Sequence, residues 1–332
     1  MKLAGARVLV TGGAGFIGSH IVEDLVRAGA QVRVFDNFSS GLRENLQVVA
    51  DDVEVVVGDI LDPAALVSAC HGIDAVSHQA AQLEIIRCIE DPVADLRINA
   101  EGTLNVFQAA TAAGVGKVIY ASSACVYGQA RYTPQDEDHP CEPNWPYGVS
   151  KYATEGYGRL YHDYYGMQTI GLRYAIIFGP REWYGRVLTA FLRRALDGAA
   201  PVVWGGTQER DFTFVEDVVA CHRRCLEADD LAATVFNVST GVATSIRALA
   251  DLVVAVCGLD APPIYEDVAE GQMSQLVQGR MRLPAELKQM VLDNRRARER
   301  LGWVPAVSLR EGLAREFAWL REHTDRWRTM HY

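Results

Sequence analysis

The stretch PYGVSKY, Pro146 to Tyr152, sets Tyr147 and Lys151 four residues apart. On a helix that spacing stacks the phenol and the ammonium on one face. A phenol beside a fixed cation can serve as a base with its activator. The same pair can also be ordinary helix surface, and the spacing alone does not choose. A second stretch, VLVTGGAGFIGSH, sets Gly12, Gly15 and Gly18 at GxxGxxG spacing. Glycines there permit a tight turn, let backbone approach a pyrophosphate, and bring the next helix onto a sheet. The helix start then offers free N–H groups and positive potential to phosphates. Asp36, in VFDNFSSG, lies about twenty residues further on, where a carboxylate accepts ribose hydroxyls and repels a 2′-phosphate; NAD is therefore expected over NADP. Asp59, in VVGDI, either contacts the adenine or is a plain surface aspartate.

These residues need elements to hold them. ARVLVT reads as a strand and FIGSHIVEDLVRAG as an amphipathic helix closed by Gly29. QVRVF, VEVVV and DAVSH follow as strands. A long helix is expected from about Pro92 to Ala113, then strand KVIYAS, a helix carrying Tyr147, and strand QTIGLRY. Strands alternating with helices imply a Rossmann-like α/β fold with a doubly wound parallel sheet. The proline- and charge-rich RYTPQDEDHPCEPNWP reads as a loop leading into Tyr147, and GLDAPPIYED to GRMRLP as irregular. The division expected is a dinucleotide domain over 1–180, with 210–240 returning to it, and a smaller α-rich lobe from 181–209 and 241–332. Gly156 and Gly158 inside a helix each cost about 1 kcal/mol relative to alanine unless close packing compensates.

At 332 residues, 49% apolar and 22% charged, the chain has the make-up of a soluble globular protein with a large core. A formal net charge of −10 argues against nucleic acid or an anionic membrane as partner. The first apolar run is too short to span a bilayer and has no cleavage-like end. Seven scattered cysteines with no CxxC pair suit a reducing cytoplasm. Cys221, His222 and Cys225 lack a fourth ligand, so no metal is expected.

Taken in order along the chain, the motifs carry a specific resemblance. They are TGGAGFIGSH, Asp36-Asn37, GDI, HQAA at His78–Ala81, Asn99 in INAEGTLNVFQAA, SSACVYG, YGVSK, LRY…FGPR, RDFTFVEDVV, FNVSTG and LGWVP. The chain resembles the extended short-chain dehydrogenases/reductases, in their nucleotide-sugar epimerase and dehydratase branch, almost end to end. The resemblance makes Tyr147 the base, Lys151 its lysine and Ser123 the hydroxyl partner on the same substrate oxygen. It gives the NAD site Gly12, Gly15, Phe16, Ile17, Gly18, Asp36, Asn37, Asp59, Ile60, Gln79, Ala80, Ala81, Asn99 and Ala121, together with Tyr147 and Lys151. Lowering a tyrosine pKa from near 10 to about 7 needs roughly 4 kcal/mol. One cation at about 4 Å in a partly shielded site supplies roughly that. Lys151 and the nicotinium ring are two such cations.

Within this branch the 4,6-dehydratases carry Asp-Glu after the serine and the decarboxylases a Glu; here Ala124 and Cys125 stand there. Without that acid, the resemblance implies hydride removal at C4 and re-reduction from the other face. The expected activity is 4-epimerisation of a nucleotide hexose such as UDP-glucose/UDP-galactose. Rival readings are a UDP-glucuronate epimerase or decarboxylase, a dehydrogenase or reductase with net hydride transfer, and a non-catalytic NAD-sensing protein. The substrate set is Ser122, Ser123, Tyr147, Arg181, Arg210 and Arg282. Arg210, in GGTQERDF, matches the family's diphosphate arginine. Where relatives carry an Arg-Pro-Gly-Asp/Glu turn, RMRLPAEL puts Leu283 at the arginine's place, with Arg280 and Arg282 as substitutes nearby. Arg181 and Arg186 in GPREWYGR bind a hexuronate carboxylate or join surface ion pairs. Ile176 replaces an asparagine of many relatives. The resemblance also implies a homodimer paired through helices near 92–113 and 146–165.

Overall fold

The computed structural model describes residues 1–182, 186–232 and 234–325. Seven parallel strands form one sheet: β1 (Arg7–Thr11), β2 (Gln31–Asp36), β3 (Val53–Val57), β4 (Ala75–His78), β5 (Lys117–Ser123), β6 (Gln168–Tyr174) and β7 (Thr234–Val238). Their order is β7-β6-β5-β4-β1-β2-β3, so chain direction across the sheet switches between β1 and β4. Ligands of doubly wound sheets bind outside the carboxyl ends of the strands at such a switch.

The strands are apolar on both faces because both are covered. Val8 and Val10 of β1 pack under α1 (Phe16–Arg27) with Ile21, Val22 and Leu25. Leu9, between them, faces the other layer, with Leu66 of α2 (Pro63–Cys70) and Val106 and Phe107 of α3 (Gly102–Ala112). Tyr161 of α4 (Pro146–Tyr165) completes that layer. The helix read over Pro92–Ala113 is helical throughout but not uniform, since Leu96–Glu101 forms a π-helical turn between Pro92–Asp95 and α3. Such turns recur at functional sites, and this one carries Asn99.

A second core lies beyond β6. There α5 (Val187–Leu196), α7 (Ile246–Cys257) and α8 (Leu309–Glu322) surround Phe178, Phe212 and Phe214 from the paired strands Ile176–Phe178 and Phe212–Phe214. Between these two strands and β7, α6 (Val215–Glu227) packs on the α1 side of the main sheet. The proline-rich 131–146 segment is a loop that ends at Pro146, the first residue of α4, a position where proline's missing N–H costs nothing. Gly158 is explained by close packing, since a Cβ there would stand 2.8 Å from Tyr120 Oη. Gly156 faces open space.

Candidate active site

The carboxyl ends of β1, β2, β4 and β5 border a cleft of about 390 Å³ that runs from the glycine turn to Tyr147. Two glycines are indispensable to its floor. Gly12 has φ +68°, and a Cβ there would lie 2.5 Å from Ala80 N across the β1/β4 switch. A Cβ on Gly18 would meet Gly12 O at 2.1 Å. The start of α1 has no side-chain cap and no acidic residue in its first turn, so its N–H groups are left for an anionic ligand. Asp36, Asn37, Asp59 and Ile60 line the opposite end. Asp36 accepts the amides of Ala14 (2.9 Å) and Phe38 (2.8 Å), while Asp59 accepts Asn37 Nδ2 at 3.0 Å and Leu61 N at 2.8 Å. A dinucleotide fits this arrangement: close backbone for a pyrophosphate, a carboxylate at the ribose position, and a pocket at the end of β3. Gly18→Ala is expected to push the turn out of register and weaken NAD binding at least about 100-fold, roughly 2.7 kcal/mol. Retention of NAD by the purified variant at wild-type level would rule this out.

The reacting end is built from β5 and α4. Tyr147 is 9% exposed, Lys151 2% and Ser123 8%, and all three line the cleft. Lys151 Nζ donates to Ala121 O at 3.0 Å and lies 5.9 Å from the centre of the Tyr147 ring. Burial lowers Lys151 to about 8, against the pull of Asp95 and Cys88, so the ammonium persists at neutral pH. Tyr147 moves the other way. Burial pushes its phenol up, with Cys125 adding to the rise and Arg186 and Ser123 opposing it. With Lys151 held on Ala121 O, burial is the dominant influence on the phenol.

Phe16, Ile17, Gly15, Gln79, Ala80, Ala81 and Ala121 line the cleft. Five residues read as site contacts make bonds within the chain: Asn99, Ser122, Arg181, Arg210 and Arg282. Asn99 is fully buried, and its amide is spent on Gln82 N (3.0 Å), Gln82 O (2.9 Å) and Asp95 Oδ1 (2.7 Å). It anchors the segment after β4 that walls the cleft. Ser122 also lines the cleft, and its hydroxyl donates to Glu155 at 2.6 Å. Arg181, at φ +74°, turns to α1, donating to Ser19 Oγ at 3.1 Å and pairing with Glu23. Arg186 lines the cleft in its stead. Arg210 and Arg282 converge, but on Glu286 of the chain itself. At the position of the replaced asparagine, Ala175 and Ile177 flank Ile176 and give the cleft an apolar wall.

Sequence reasoning also missed Glu182, which lines the cleft beside Arg186. It is 3% exposed and Glu316 of α8 is 1% exposed; Glu182 Oε2 and both Glu316 oxygens have no hydrogen-bond partner among the described residues. Burial pushes Glu182 up to about 7, with Arg186 and Thr189 opposing. Burial and then the Glu182 charge raise Glu316 as well. A carboxyl whose folded pKa lies above its usual 4.5 stabilises the fold fully below that value and loses the contribution as pH rises through about 7. Glu182→Gln is expected to flatten the fall in melting temperature between pH 5 and pH 8, a change on the order of 2–3 kcal/mol. Parallel curves for variant and wild type would contradict this.

Comparison with known proteins follows the same geometry. Residues 8–239 match the model of the NAD dependent epimerase/dehydratase family. The chain belongs to that family. It is an enzyme fold of the extended short-chain dehydrogenase/reductase type, and its cofactor is NAD. Over 322 residues the chain is 34% identical to the putative UDP-glucose 4-epimerase of Methanocaldococcus jannaschii, covering 95% of this chain and 99% of that one. The UDP-glucose 4-epimerase of Thermotoga maritima, solved with UDP-glucose, superposes with a TM-score of 0.86 at 34% identity, over 96% of this chain and 99% of the other. That of Thermus thermophilus, solved with NAD, gives 0.84 at 33% identity over the same shares.

Proposed function

We propose that this protein is an NAD-dependent 4-epimerase of a UDP-hexose, with UDP-glucose and UDP-galactose as its pair. The observation that carries the reading is one cleft joining the glycine turn to Tyr147, Ser123 and Lys151, with Ala124 and Cys125 where an eliminating or decarboxylating relative would hold an acid. The names of the relatives support the same substrate class.

NAD, when bound, would supply a hydride acceptor that can return what it takes, together with a positive charge. The chain supplies the rest. Tyr147 Oη takes the proton of the sugar hydroxyl while Ser123 Oγ holds the same oxygen. Lys151, fixed on Ala121 O, stabilises the phenolate that forms. For return of hydride to the other face, the sugar must turn while the nucleotide stays anchored. The apolar wall of Ala175 and Ile177 grips the sugar weakly, and Arg210 with Arg282 anchors the diphosphate. A homodimer belongs to this reading: Val93, Leu96, Val149, Tyr152 and Tyr157 stand exposed on Pro92–Ala112 and on α4.

NMR and mass spectrometry of products from UDP-, dTDP- and GDP-sugars test the proposal. Interconversion of UDP-glucose and UDP-galactose without added NAD is expected. Arg186 in the cleft favours a second reading, a hexuronate substrate, which UDP-glucuronate in the same panel checks. A 4-keto-6-deoxy product would instead end the epimerase reading. Turnover that needs stoichiometric NAD would end it too.

A further inference from the structure

Arg210 and Arg282 come from separate segments and meet on one carboxylate. Arg282 donates through Nε to Glu286 Oε2 at 2.9 Å, and Gln208 donates through Nε2 to the same oxygen at 2.7 Å. Arg210 Nη2 stands 3.8 Å from Oε1. The pairing of Gln289–Met290 with Glu209–Arg210 holds the two segments in register. All three charged side chains are largely buried, with exposures of 11%, 17% and 16% for Arg210, Arg282 and Glu286. Two guanidiniums this close and this shielded repel unless an anion lies between them. Here that anion is a side chain of the protein.

The segment that carries the carboxylate also borders the catalytic cluster. Pro284 O accepts Trp145 Nε1 at 2.9 Å, one residue before the start of α4. Glu286 O accepts Gln129 Nε2 at 3.1 Å, and Leu287 is buried in the cluster that contains Tyr147. The backbone of Glu286 is thus fixed, and its N donates to Glu270 Oε2 at 3.2 Å. Its side chain is the part that can exchange.

We propose that Glu286 stands in for the substrate's diphosphate, holding Arg210 and Arg282 together between turnovers and yielding them to the entering anion. This deepens, and rests on, the nucleotide-sugar reading above. A diphosphate offers each guanidinium its own bidentate partner and displaces one shared carboxylate, whereas a monoanion gains little by the exchange. Glu286 therefore sets nucleotide affinity by competition, selects for paired phosphates, and favours release of product.

Isothermal titration of the full-length, NAD-loaded protein with inorganic pyrophosphate, and separately with uridine, tests the exchange. Glu286→Gln is expected to bind pyrophosphate at least about fivefold more tightly than wild type, with uridine binding unchanged. Glu286→Asp, which keeps the charge but draws it back by one methylene, is expected to fall between them and serves if the glutamine variant does not fold. Arg210→Gln is expected to weaken pyrophosphate binding. Pyrophosphate affinity that is unchanged or lower in the Glu286 variants, while Arg210→Gln still weakens it, overturns the stand-in and leaves the diphosphate reading in place. Pyrophosphate binding indifferent to Arg210→Gln overturns both.

Discussion

Tyr147→Phe is expected to cut turnover by about 10³-fold, within the 10²–10⁴ that a positioned proton-transfer group contributes, while leaving NAD content and melting temperature near wild type. The substitution removes one oxygen from a ring that stays where it is. Tyr147 lies in an apolar cluster with Tyr127, Trp145 and Leu287, and packing there depends on the ring rather than the hydroxyl. The hydroxyl is where the chemistry is. Burial raises its pKa, Ser123 and Arg186 draw it down, and the Lys151 ammonium sits 5.9 Å from the ring centre. The chain alone therefore keeps the phenol protonated at neutral pH, and NAD, when bound, would supply a further positive charge that favours transfer. Two kinetic signatures follow. The fall should be in kcat, with KM for the nucleotide-sugar nearly unchanged, because the nucleotide is anchored on other residues. Lys151→Met should lose activity most steeply on the low-pH side, where the phenolate is hardest to form without a nearby cation. A Tyr147→Phe variant that turns over within threefold of wild type would remove Tyr147 from the reaction.

What could be read from the sequence divides along physical lines. Short β-branched apolar runs and amphipathic helical stretches marked the strands and helices, since Val8, Leu9 and Val10 must be covered on both faces and Ile21, Val22 and Leu25 must share one. The glycine turn was legible because only glycine fits beside Ala80 N and Gly12 O. Side-chain direction was the weak point. Strand alternation sends Ser122 and Ser123 to opposite sides of β5, a parity already present in the sequence. The left-handed backbone that turns Arg181 to Glu23 is not written in its neighbours. Asn99, a cofactor contact by resemblance, sits on a π-helical turn with its amide bonded to Gln82. Glu182 with Glu316, and Glu286 with its two arginines, are pairings made only by tertiary contact.

Arg173→Met is expected to destabilise the protein by about 3–5 kcal/mol, the usual cost of removing one partner from a buried ion pair. Arg173 on β6 grips Glu155 of α4 with two bonds, Nε to Oε1 at 2.9 Å and Nη2 to Oε2 at 2.7 Å. Both side chains are almost fully enclosed, at 5% and 7% exposure. Nη1 donates to Tyr127 Oη at 2.8 Å, which in turn donates to Asn237 of β7 at 2.7 Å. The same Glu155 accepts the hydroxyl of Ser122, the residue beside Ser123. One guanidinium thus ties three adjacent parts of the sheet to the helix that presents Tyr147. Removing it strands the Glu155 carboxylate with a single hydroxyl, and leaving a charge unpaired there costs more than the pair itself contributes. The melting temperature should fall by about 6–10 °C, at roughly 2 °C per kcal/mol for a chain of this size. Because the cost lies in the stranded charge, the double variant Glu155→Leu/Arg173→Met should recover most of the stability. It should not recover all of the activity, since Ser122 then loses its acceptor and Ser123 its fixed neighbour. A single Arg173→Met variant as stable as wild type, or a double variant less stable than the single, would show that this network does not bind α4 to the sheet.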